Sequence, residues 1–434
     1  MSKKFEVKVW KASKLPKDWF KRQLPNSKAK EKVENETKVI IEKVVKYGDS
    51  ALSELTEKFD KAIVDPKNLR VTTAEIQEAY SAVNAKYVSA IKFMKEKVAS
   101  FEKLALKPRE FTIKTDGGAV RSTIQPIESV GCYVPGGLAT YPSTLVMTTV
   151  PAKVAGVSRV VVCSPPNAKG KVNPLVLVAA DICGVDAVYK VGGAQAIAAL
   201  AYGTEKIKPV KKIVGPGNKY VTTAKILVSR NVAIDMPAGP SEILVLADET
   251  AEARLIALDM ISQAEHGADS VAGLITTSEE CAIEVQNWLS KTAASAERGK
   301  IIRKALEKYG FIIICEDMDK AIELANSFAP EHIEILTRDP DKIAEKITSA
   351  GLILVGSHSP VALSDYASGA NHVLPTGGFA SAHSGLSVFD FVRRVSIVRS
   401  TEKGLIAIKN CVKTMAEAEN LPNHYKALEA RIEK

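Results

Sequence analysis

Short apolar runs rich in valine and isoleucine alternate with longer helical runs from residue 128 onward. In order, the apolar runs are SVGCYV, RVVVCS, AVYKV, KKIVG, NVAIDM, SEILVLAD, SVAGLITT, FIIICE, IEILT and LILVGS. Apolar strands separated by helices are typical of βαβ units, which build parallel sheets covered by helices on both faces. The pattern therefore predicts an α/β protein with two parallel-sheet domains.

The segments on either side of this region have a helical pattern instead. The stretch NETKVIIEKVVKYGDSALSELTEKFD repeats apolar positions every three or four residues, with a possible stop at Gly48, and TAEIQEAYSAVNAKYVSAIKFMKEKVASFEK follows the same spacing. This periodicity predicts amphipathic helices over most of residues 31–130. Residues 387–434 are predicted to form a helical tail, which Pro422 divides.

The positive charge of the chain is concentrated at one end. The 434 residues are 46% hydrophobic and 25% charged, with a formal net charge of +9. Residues 1–30 contain ten lysines and arginines against two acidic residues, so the remainder is close to neutral. We expect this basic N-terminal extension to pack along an acidic surface of its own or of a partner subunit. A near-neutral body argues against a nucleic-acid partner.

Cysteine usage and hydropathy indicate the cellular compartment. No run approaches the ~18–20 apolar residues of a membrane span, and charges occupy the positions where a signal peptide would have its apolar segment. The six cysteines are widely spaced and form no C-x-x-C motif, which argues against a disulfide framework and a four-cysteine zinc site. We therefore expect a cytoplasmic protein with no membrane partner.

Two turns between a strand and a helix are rich in glycine. Gly192 and Gly193 precede Gln195, and the GPG stretch 215–217 precedes Asn218, which stands at a natural N-cap position. Free N–H groups at helix N-termini bind phosphate, so both turns suit a dinucleotide. Tyr133, beside a third glycine segment, is placed to contact the same cofactor. Neither turn is a complete G-x-G-x-x-G motif, and ordinary tight turns remain an alternative.

Polar residues suited to metal binding and acid–base chemistry form several groups. Gln263 and His266 are three residues apart near the end of a predicted helix, which puts them on one face and suits Zn²⁺. Asp365 and His372 follow the strand LILVGS, at the kind of carboxyl end where ligands of α/β sheets gather. His424 lies in the tail, five residues after Glu419, whereas His358 and His383 fall in polar loops and are predicted to be solvated.

A further pair, Glu331 and His332, opens the strand IEILT. Adjacent residues within a strand point to opposite faces, so both side chains reach one substrate only if they lie before the strand proper; a surface turn is the alternative. No G-x-S-x-G elbow indicates a serine nucleophile. Cys132, inside a glycine loop, remains a minor alternative as an aldehyde-oxidising thiol.

Taken together, these segments resemble the histidinol dehydrogenase family. The resemblance runs from about residue 30 to the end of the chain. It is carried, in family order, by YVPGGLATYPST, VGGAQAIAALAYGTE, GPGNKYV, DMPAGPSEILVLAD, SQAEHGADS, APEHIEI, DYASGANHVLPTGGF and SGLSVFDF. Eight ordered motifs are more specific than any one of them.

The resemblance implies roles for individual residues. One zinc ion per subunit would be held by Gln263, His266, Asp365 and His424. The acid–base groups would be Glu331 and His332, and NAD would contact Tyr133, Gln195 and Asn218. The substrate-contacting positions would be Ser241, Gln263, His266, His332, Asp365, His372, Glu419 and His424.

The resemblance also implies a reaction, an assembly and domain limits. The enzyme would oxidise L-histidinol to L-histidine through L-histidinal in two NAD-dependent steps, the last of histidine biosynthesis. It would be a homodimer in which the tail completes the partner's active site. The implied segments are the extension 1–30, a larger α/β domain with the zinc and catalytic residues (31–132 plus 241–386), a Rossmann-like NAD-binding domain (133–240) and the tail 387–434.

Two other functions are compatible with the sequence. A relative on the same scaffold would oxidise another small polar alcohol, such as a sulfonated diol, since His383, Arg393 and Arg394 lie around the SGLSVFDF motif. A basic scaffold protein would instead bind nucleic acid through residues 1–30, with an affinity that falls steeply with salt.

Overall fold

The computed structural model describes residues 5–16, 19, 27–107, 110–115, 117–136, 140–236 and 239–432. The helices are α1 Ser27–Asp60, α2 Thr73–Ala82, α3 Ala85–Leu106, α4 Pro142–Ala155, α5 Pro174–Ile182, α6 Gly193–Tyr202, α7 Lys219–Val228, α8 Ala253–Ala264, α9 Glu279–Ser295, α10 Gly299–Tyr309, α11 Met318–Phe328, α12 Pro340–Ala344, α13 Val361–Tyr366, α14 Glu402–Ala418 and α15 Pro422–Glu429. The strands are β1 Lys8–Lys11, β2 Phe111–Thr115, β3 Gly118–Pro126, β4 Ser129–Tyr133, β5 Arg159–Cys163, β6 Ala187–Tyr189, β7 Lys212–Val214, β8 Ala233–Ile234, β9 Glu242–Ala247, β10 Val271–Thr276, β11 Phe311–Ile314, β12 His332–Leu336, β13 Leu352–Val355 and β14 Val392–Ser400.

The larger sheet is parallel and contains six strands in the order β1-β11-β10-β9-β12-β13. Its central strands β9 and β10 are buried at every residue, as expected of a sheet covered on both faces. Helices α8, α9 and α10 cover one face, and α11 covers the other. In register, His332 of β12 lies beside Ile243 of β9, which brings the amino ends of these two strands together.

The second sheet is also parallel, with the order β6-β5-β4-β7-β8. Helices α4 and α5 pack on one face, whereas α6 and α7 pack on the other. Two parallel sheets with helices on both faces confirm the predicted α/β class.

The N-terminal helices pack against the five-stranded sheet. The apolar stripe of α1, which includes Val44 and Leu52, is buried with Ile197 and Leu200 of α6. Helix α3 packs on α4, and β4 pairs with β5 and β7. These contacts join the N-terminal helices to the five-stranded sheet, and the grouping of 31–132 with 241–386 that the resemblance implies stays a prediction.

Helix α1 changes direction at Gly48, where the backbone leaves the helical region with φ 53° and ψ −134°. A side chain at this position would overlap the Glu205 carboxylate, which accepts a hydrogen bond from the N–H of Asp49 at 2.7 Å. The sequence analysis predicted a helix stop at Gly48, and the bend in α1 lies at this residue.

Part of the basic N-terminal extension is an edge strand. Strand β1 pairs in parallel with β11, and the side chains of Phe5 and Val7 are buried in the core on α9. The N–H of Val7 donates to Gln286 at 2.9 Å, and Lys11 forms an exposed ion pair with Glu279. The described contacts are thus mainly main-chain pairing and apolar burial rather than the acidic surface that was expected. Residues 1–4, 17–18 and 20–26 lie outside the described part of the chain.

The tail begins with a strand that the sequence analysis did not predict. Strand β14 joins β3 and β2 in an antiparallel sheet of order β14-β3-β2. Helices α14 and α15 follow and pack on each other, with the break immediately before Pro422 as predicted. Within the described ranges, none of the helices combines the length and the apolar character needed to cross a bilayer.

Candidate active site

Glu331 and His332 lie at the amino end of β12, between β9 and the edge strand β13 of the larger sheet. His332 is the first residue of the strand and Glu331 precedes it. Both side chains are buried, and Nδ1 of His332 lies 3.8 Å from Oε2 of Glu331. Helix α11 ends just before the pair at Ala329, a left-handed C-cap with φ 47°. The two side chains thus lie together at the start of the strand, the position that the sequence analysis required for a shared substrate.

The neighbouring residue Glu242 holds this pair through its main chain. Its N–H donates to Oε2 of Glu331 at 2.7 Å, and its carbonyl oxygen lies 3.2 Å from Nδ1 of His332. Because a carbonyl only accepts hydrogen bonds, Nδ1 carries the proton and Nε2 is left as the basic nitrogen. Nε2 of His332 is buried and has no hydrogen-bond partner among the described residues. The arrangement therefore presents a base toward the site.

Burial shifts the pKa of both members of the pair. Desolvation lowers the pKa of His332 to about 4, assisted by the nearby His372 and His266, so the imidazole is neutral at physiological pH. Desolvation also raises the pKa of Glu331 well above its usual value, and the negative charges of Glu242 and Asp365 add to the effect. At neutral pH the imidazole is therefore able to accept a proton, and the neighbouring carboxyl holds its proton more tightly than an exposed one.

The loop after α13 connects this pair to the five-stranded sheet. Nδ1 of His372 lies 3.0 Å from the carbonyl of Asp365, and the Asn371 amide donates to the Met147 carbonyl of α4 at 2.8 Å. At the other end of the loop, the N–H of Gly377 donates to Oε1 of Glu242 at 2.9 Å. The loop thus ties α4 to the start of β9, so one site is built between the two sheets.

Three of the four predicted zinc ligands lie in this region. Gln263 is buried in the last turn of α8, and His266 follows just beyond the helix end rather than within it. Asp365 lies in α13 beside His372, with 3.7 Å between Oδ1 and Nδ1. Burial raises the pKa of Asp365 to about 6 and lowers that of His266. An amide oxygen, a neutral imidazole and a carboxylate are donors that suit zinc.

The fourth predicted ligand is not brought to this site within one chain. His424 is exposed on α15, and Glu419 is exposed at the end of α14. Consistent with this, no group of three or more His, Cys, Asp and Glu side chains is arranged to hold a metal in the part of the chain that the structure describes. Ser241, half-buried, immediately precedes β9 and thus adjoins the Glu331–His332 pair.

The predicted cofactor residues meet at the carboxyl edge of the five-stranded sheet. The hydroxyl of Tyr133, the last residue of β4, accepts a hydrogen bond from the N–H of Gly193 at 3.1 Å. Asn218 caps α7 by accepting from the N–H of Tyr220 at 2.9 Å. Gln195 is buried, and its Nε2 has no partner among the described residues. A buried amide left for a ligand, beside two helix N-termini, fits a dinucleotide.

The two halves of the site use opposite edges of their sheets. The cofactor residues lie at carboxyl ends, as expected of α/β folds. Glu331, His332 and Ser241 lie instead at the amino ends of β12 and β9, where the sequence analysis required the Glu331–His332 pair to be. Asp365 and His372 were expected at the carboxyl end of β13, but α13 and the loop after it bring them close to this pair.

The burial or exposure of the side chains tests the Cys132 alternative and the prediction for His358 and His383. The Cys132 side chain is fully buried and its Sγ contacts the Thr148 carbonyl at 3.5 Å. Burial raises the pKa of this thiol far above its usual value, so it does not supply a thiolate nucleophile. His358 and His383 are exposed, as predicted.

Glu242 is the residue of this site that the sequence analysis missed. Its side chain is almost completely buried, although it begins the otherwise apolar strand EILVLA. A carboxylate at the first position of a central strand was the available signal, because an acid is rarely buried there without a role.

Comparison with known proteins identifies the family. Residues 24–432 match the family model for histidinol dehydrogenase. The chain is 48% identical to the histidinol dehydrogenase of Methanocaldococcus jannaschii over 91% of both chains, and 43% identical to that of Clostridium acetobutylicum over 98% of this chain and 99% of the relative. Its structure resembles the crystal structure of histidinol dehydrogenase from Elizabethkingia anophelis, with a TM-score of 0.92, 36% identity and 98% of each chain covered. These matches do not support an enzyme for another polar alcohol. The chain belongs to the histidinol dehydrogenase family.

Proposed function

We propose that this protein oxidises L-histidinol to L-histidine through L-histidinal, in the last steps of histidine biosynthesis. The observation that carries the proposal is the buried Glu331–His332 pair, oriented by the main chain of Glu242, in a chain of this family. The family is zinc- and NAD-dependent. When bound, NAD⁺ accepts hydride and zinc holds the amine and imidazole of the substrate.

His332 is the base of the alcohol step. Its Nε2 accepts the hydroxyl proton as hydride leaves the carbinol carbon, so that the alcohol becomes an aldehyde and one proton and one hydride are removed. The Glu242 carbonyl, 3.2 Å from Nδ1, is placed to stabilise the imidazolium formed, because Nδ1 carries a proton before and after this step. Burial keeps the starting imidazole neutral and hence able to accept this proton.

Glu331 is the base of the second step. It removes a proton from water that adds to the aldehyde, and loss of a second hydride and proton from the hydrate gives the acid. The raised pKa of Glu331 makes its carboxylate, once deprotonated, a stronger base than an exposed carboxylate. The N–H of Glu242 holds the carboxylate at 2.7 Å and leaves its other oxygen for water. The two steps thus use adjacent side chains on one anchored segment.

The substrate and the cofactors would be held by residues from both sheets. Zinc would be held by Gln263, His266 and Asp365, together with His424 from a second copy of the chain. Ser241, His372 and Glu419 would contact substrate, in addition to His332 and the zinc ligands. Tyr133, Gln195 and Asn218 would hold NAD at the carboxyl edge of the five-stranded sheet. A cytoplasmic location fits this biosynthetic role.

We further infer a homodimer in which each tail completes the other subunit's site. The exposure of His424 and Glu419 supports this arrangement, because neither side chain reaches the Glu331–His332 pair of its own chain. The tail also exposes apolar side chains that a partner would cover: Val398 at 70%, Ile406 at 57% and Met415 at 51%. A shared site explains both features of the tail: it exposes apolar side chains, and it carries a predicted zinc ligand that lies away from the site of its own chain.

A substrate panel tests the proposed function. Purified protein supplied with zinc would be mixed with NAD⁺ and, in parallel, with L-histidinol, a sulfonated diol or a simple primary alcohol. We expect NADH from L-histidinol, loss of that activity with a chelator, and its return with added zinc. Activity with the sulfonated diol but not with L-histidinol would contradict the proposal.

A further inference from the structure

A buried ion pair lies directly behind the second glycine turn of the cofactor edge. Lys225 comes from α7 and Asp235 follows β8, and their side chains are 3% and 0% exposed. The Lys225 ammonium contacts Oδ1 of Asp235. Removing two charges from water is costly, and a pair of apolar residues often stabilises a core equally well, so burial alone does not account for this pair.

Both members of the pair bind the main chain of one residue, Gly215. Oδ2 of Asp235 accepts a hydrogen bond from the N–H of Gly215 at 2.7 Å. Nζ of Lys225 donates to the carbonyl of Gly215 at 2.9 Å and to that of Met236 at 3.3 Å. This ion pair therefore binds both the N–H and the carbonyl oxygen of Gly215, the first residue of the turn.

The backbone of Gly215 needs such support. Its φ is +115°, and a Cβ at this position would lie 2.2 Å from the carbonyl oxygen of Tyr133. The turn is thus pressed against the end of β4 in a conformation that only glycine adopts without strain. The next residue, Pro216, has no N–H with which to anchor the turn, so the clamp on Gly215 sets where the chain enters α7 at Asn218.

We propose that Lys225 and Asp235 are positioning residues for the dinucleotide. By holding Gly215 against Tyr133, they fix the spacing between Tyr133 and Asn218, two of the three residues assigned to NAD, without touching the cofactor. The inference rests on the proposed NAD site. The hydrogen bonds of this ion pair go to the main chain of the turn, so the two charges serve the turn rather than the sheet.

A charge-free variant tests the role. Lys225→Met combined with Asp235→Asn removes both charges together, while the asparagine keeps an acceptor for the Gly215 N–H. We expect the Kd for NADH, measured by fluorescence, and the KM for NAD⁺ to rise about 10-fold, since displacing a binding element by ~1 Å has effects of this size or larger. The KM for L-histidinol should stay within about 2-fold, a split that general loss of stability does not produce.

A second ion pair, at the other end of the strand β7 that leads into Gly215, provides the control. Lys212, the first residue of β7, pairs with Asp390 at 2.8 Å at the opposite end of the strand, with side chains 13% and 27% exposed. Lys212→Met with Asp390→Asn should lower Tm and leave the Kd for NADH unchanged. Equal weakening of NADH binding in both double variants would overturn the proposal.

Two further outcomes separate this inference from the proposed function. If the Met variant does not fold, Lys225→Gln with Asp235→Asn replaces it. The glutamine keeps the site polar, but its side chain is one atom shorter than that of lysine, and we expect the same rise in the Kd for NADH. If the Lys225/Asp235 double variant oxidises histidinol and its NADH affinity is unchanged, only the positioning role of this ion pair is overturned. A wild-type protein that binds NADH but does not oxidise histidinol contradicts the function alone, and one that binds no NADH overturns both.

Discussion

The carbonyl oxygen of Glu242 lies 3.2 Å from Nδ1 of His332, and this contact decides which imidazole nitrogen is basic. The same residue binds Glu331 through its N–H and Gly377 through its side chain. One residue therefore links the two proposed bases to the loop that carries His372. The roles of the site residues can be tested from this relationship.

Replacement of Glu242 should separate its charge from its hydrogen bond. Glu242→Gln keeps an acceptor for the Gly377 N–H but removes a negative charge that raises the pKa of Glu331. Loss of that charge lowers the pKa of Glu331, so the acidic limb of the kcat profile should move to lower pH. Glu242→Ala also frees the loop and should lower kcat at every pH. An acidic limb that stays in place in the Gln variant would contradict this assignment.

Substitution of Glu331 should affect the two oxidation steps unequally. Glu331→Gln leaves His332 as the base for the alcohol but removes the base for water. The rate from L-histidinal and NAD⁺ to histidine should fall by about 10²–10⁴-fold, whereas NADH-dependent reduction of L-histidinal to L-histidinol should be retained. Stopped-flow absorbance at 340 nm measures both directions. An equal loss of the two rates would contradict this prediction, because Glu331 would then be needed for both oxidation steps.

Fold stability should fall with rising pH because of a buried acid pair behind the site. Burial, with the nearby Asp259 carboxylate, raises the pKa of Glu334 to about 9, and burial raises that of Asp259 to about 6. An unfolded glutamate titrates near ~4.3, so the folded chain holds more protons between these values. The contribution is fully present below the unfolded pKa and is lost as pH rises through the folded pKa.

Glu334→Gln should therefore flatten this dependence, since the amide mimics the protonated acid. Thermal melts from pH 5 to pH 9 should show Tm values that are similar at the acidic end and higher for the variant at the basic end. Glu316→Gln, at an exposed position, provides the matched control and should follow the wild type. Parallel curves for all three proteins would contradict the prediction.

Subunit hybrids test whether the tail serves the partner. His332→Ala and His424→Ala should each inactivate the homodimer, for different reasons. If the tail crosses over, a hybrid of the two variants contains one site with both histidines intact, and random reassembly restores about one quarter of wild-type activity. If each tail serves its own chain, no hybrid site is complete and no activity returns. Matched mixtures of each variant with itself provide the baseline.

The sequence predicted the parts of the fold that depend on local pattern. Strands β9 to β13 follow from apolar runs between helices, and the break before Pro422 follows from its missing N–H. Strand β14 was missed because VRRVSIVRS is an exposed segment with three arginines and no strict alternation of apolar and polar residues, so it has no strand signal of its own. The packing of α1 on the five-stranded sheet depends on distant partners that periodicity does not specify.

The candidate site was predicted in part, for a similar reason. Motif resemblance singled out Glu331 and His332, and the structure places them side by side with 3.8 Å between Nδ1 and Oε2. Glu242 binds the pair through its main chain, which leaves no mark on residue type, so the available signal was the carboxyl group at the start of an apolar strand. In the proposed homodimer the placement of His424 depends on a second subunit, which one chain's pattern does not describe.

The most direct test of the account is the ratio of NADH to histidine formed from L-histidinol. The wild type with zinc should give two NADH per histidine, because an alcohol-to-acid oxidation removes two hydrides. His332→Asn keeps a donor for the Glu242 carbonyl but has no Nε2, and its rate should fall by about 10²–10⁴-fold, while His358→Asn, at an exposed position, should match the wild type. A ratio of one with histidinal as the product, or a His332→Asn rate equal to that of the wild type, would contradict the account.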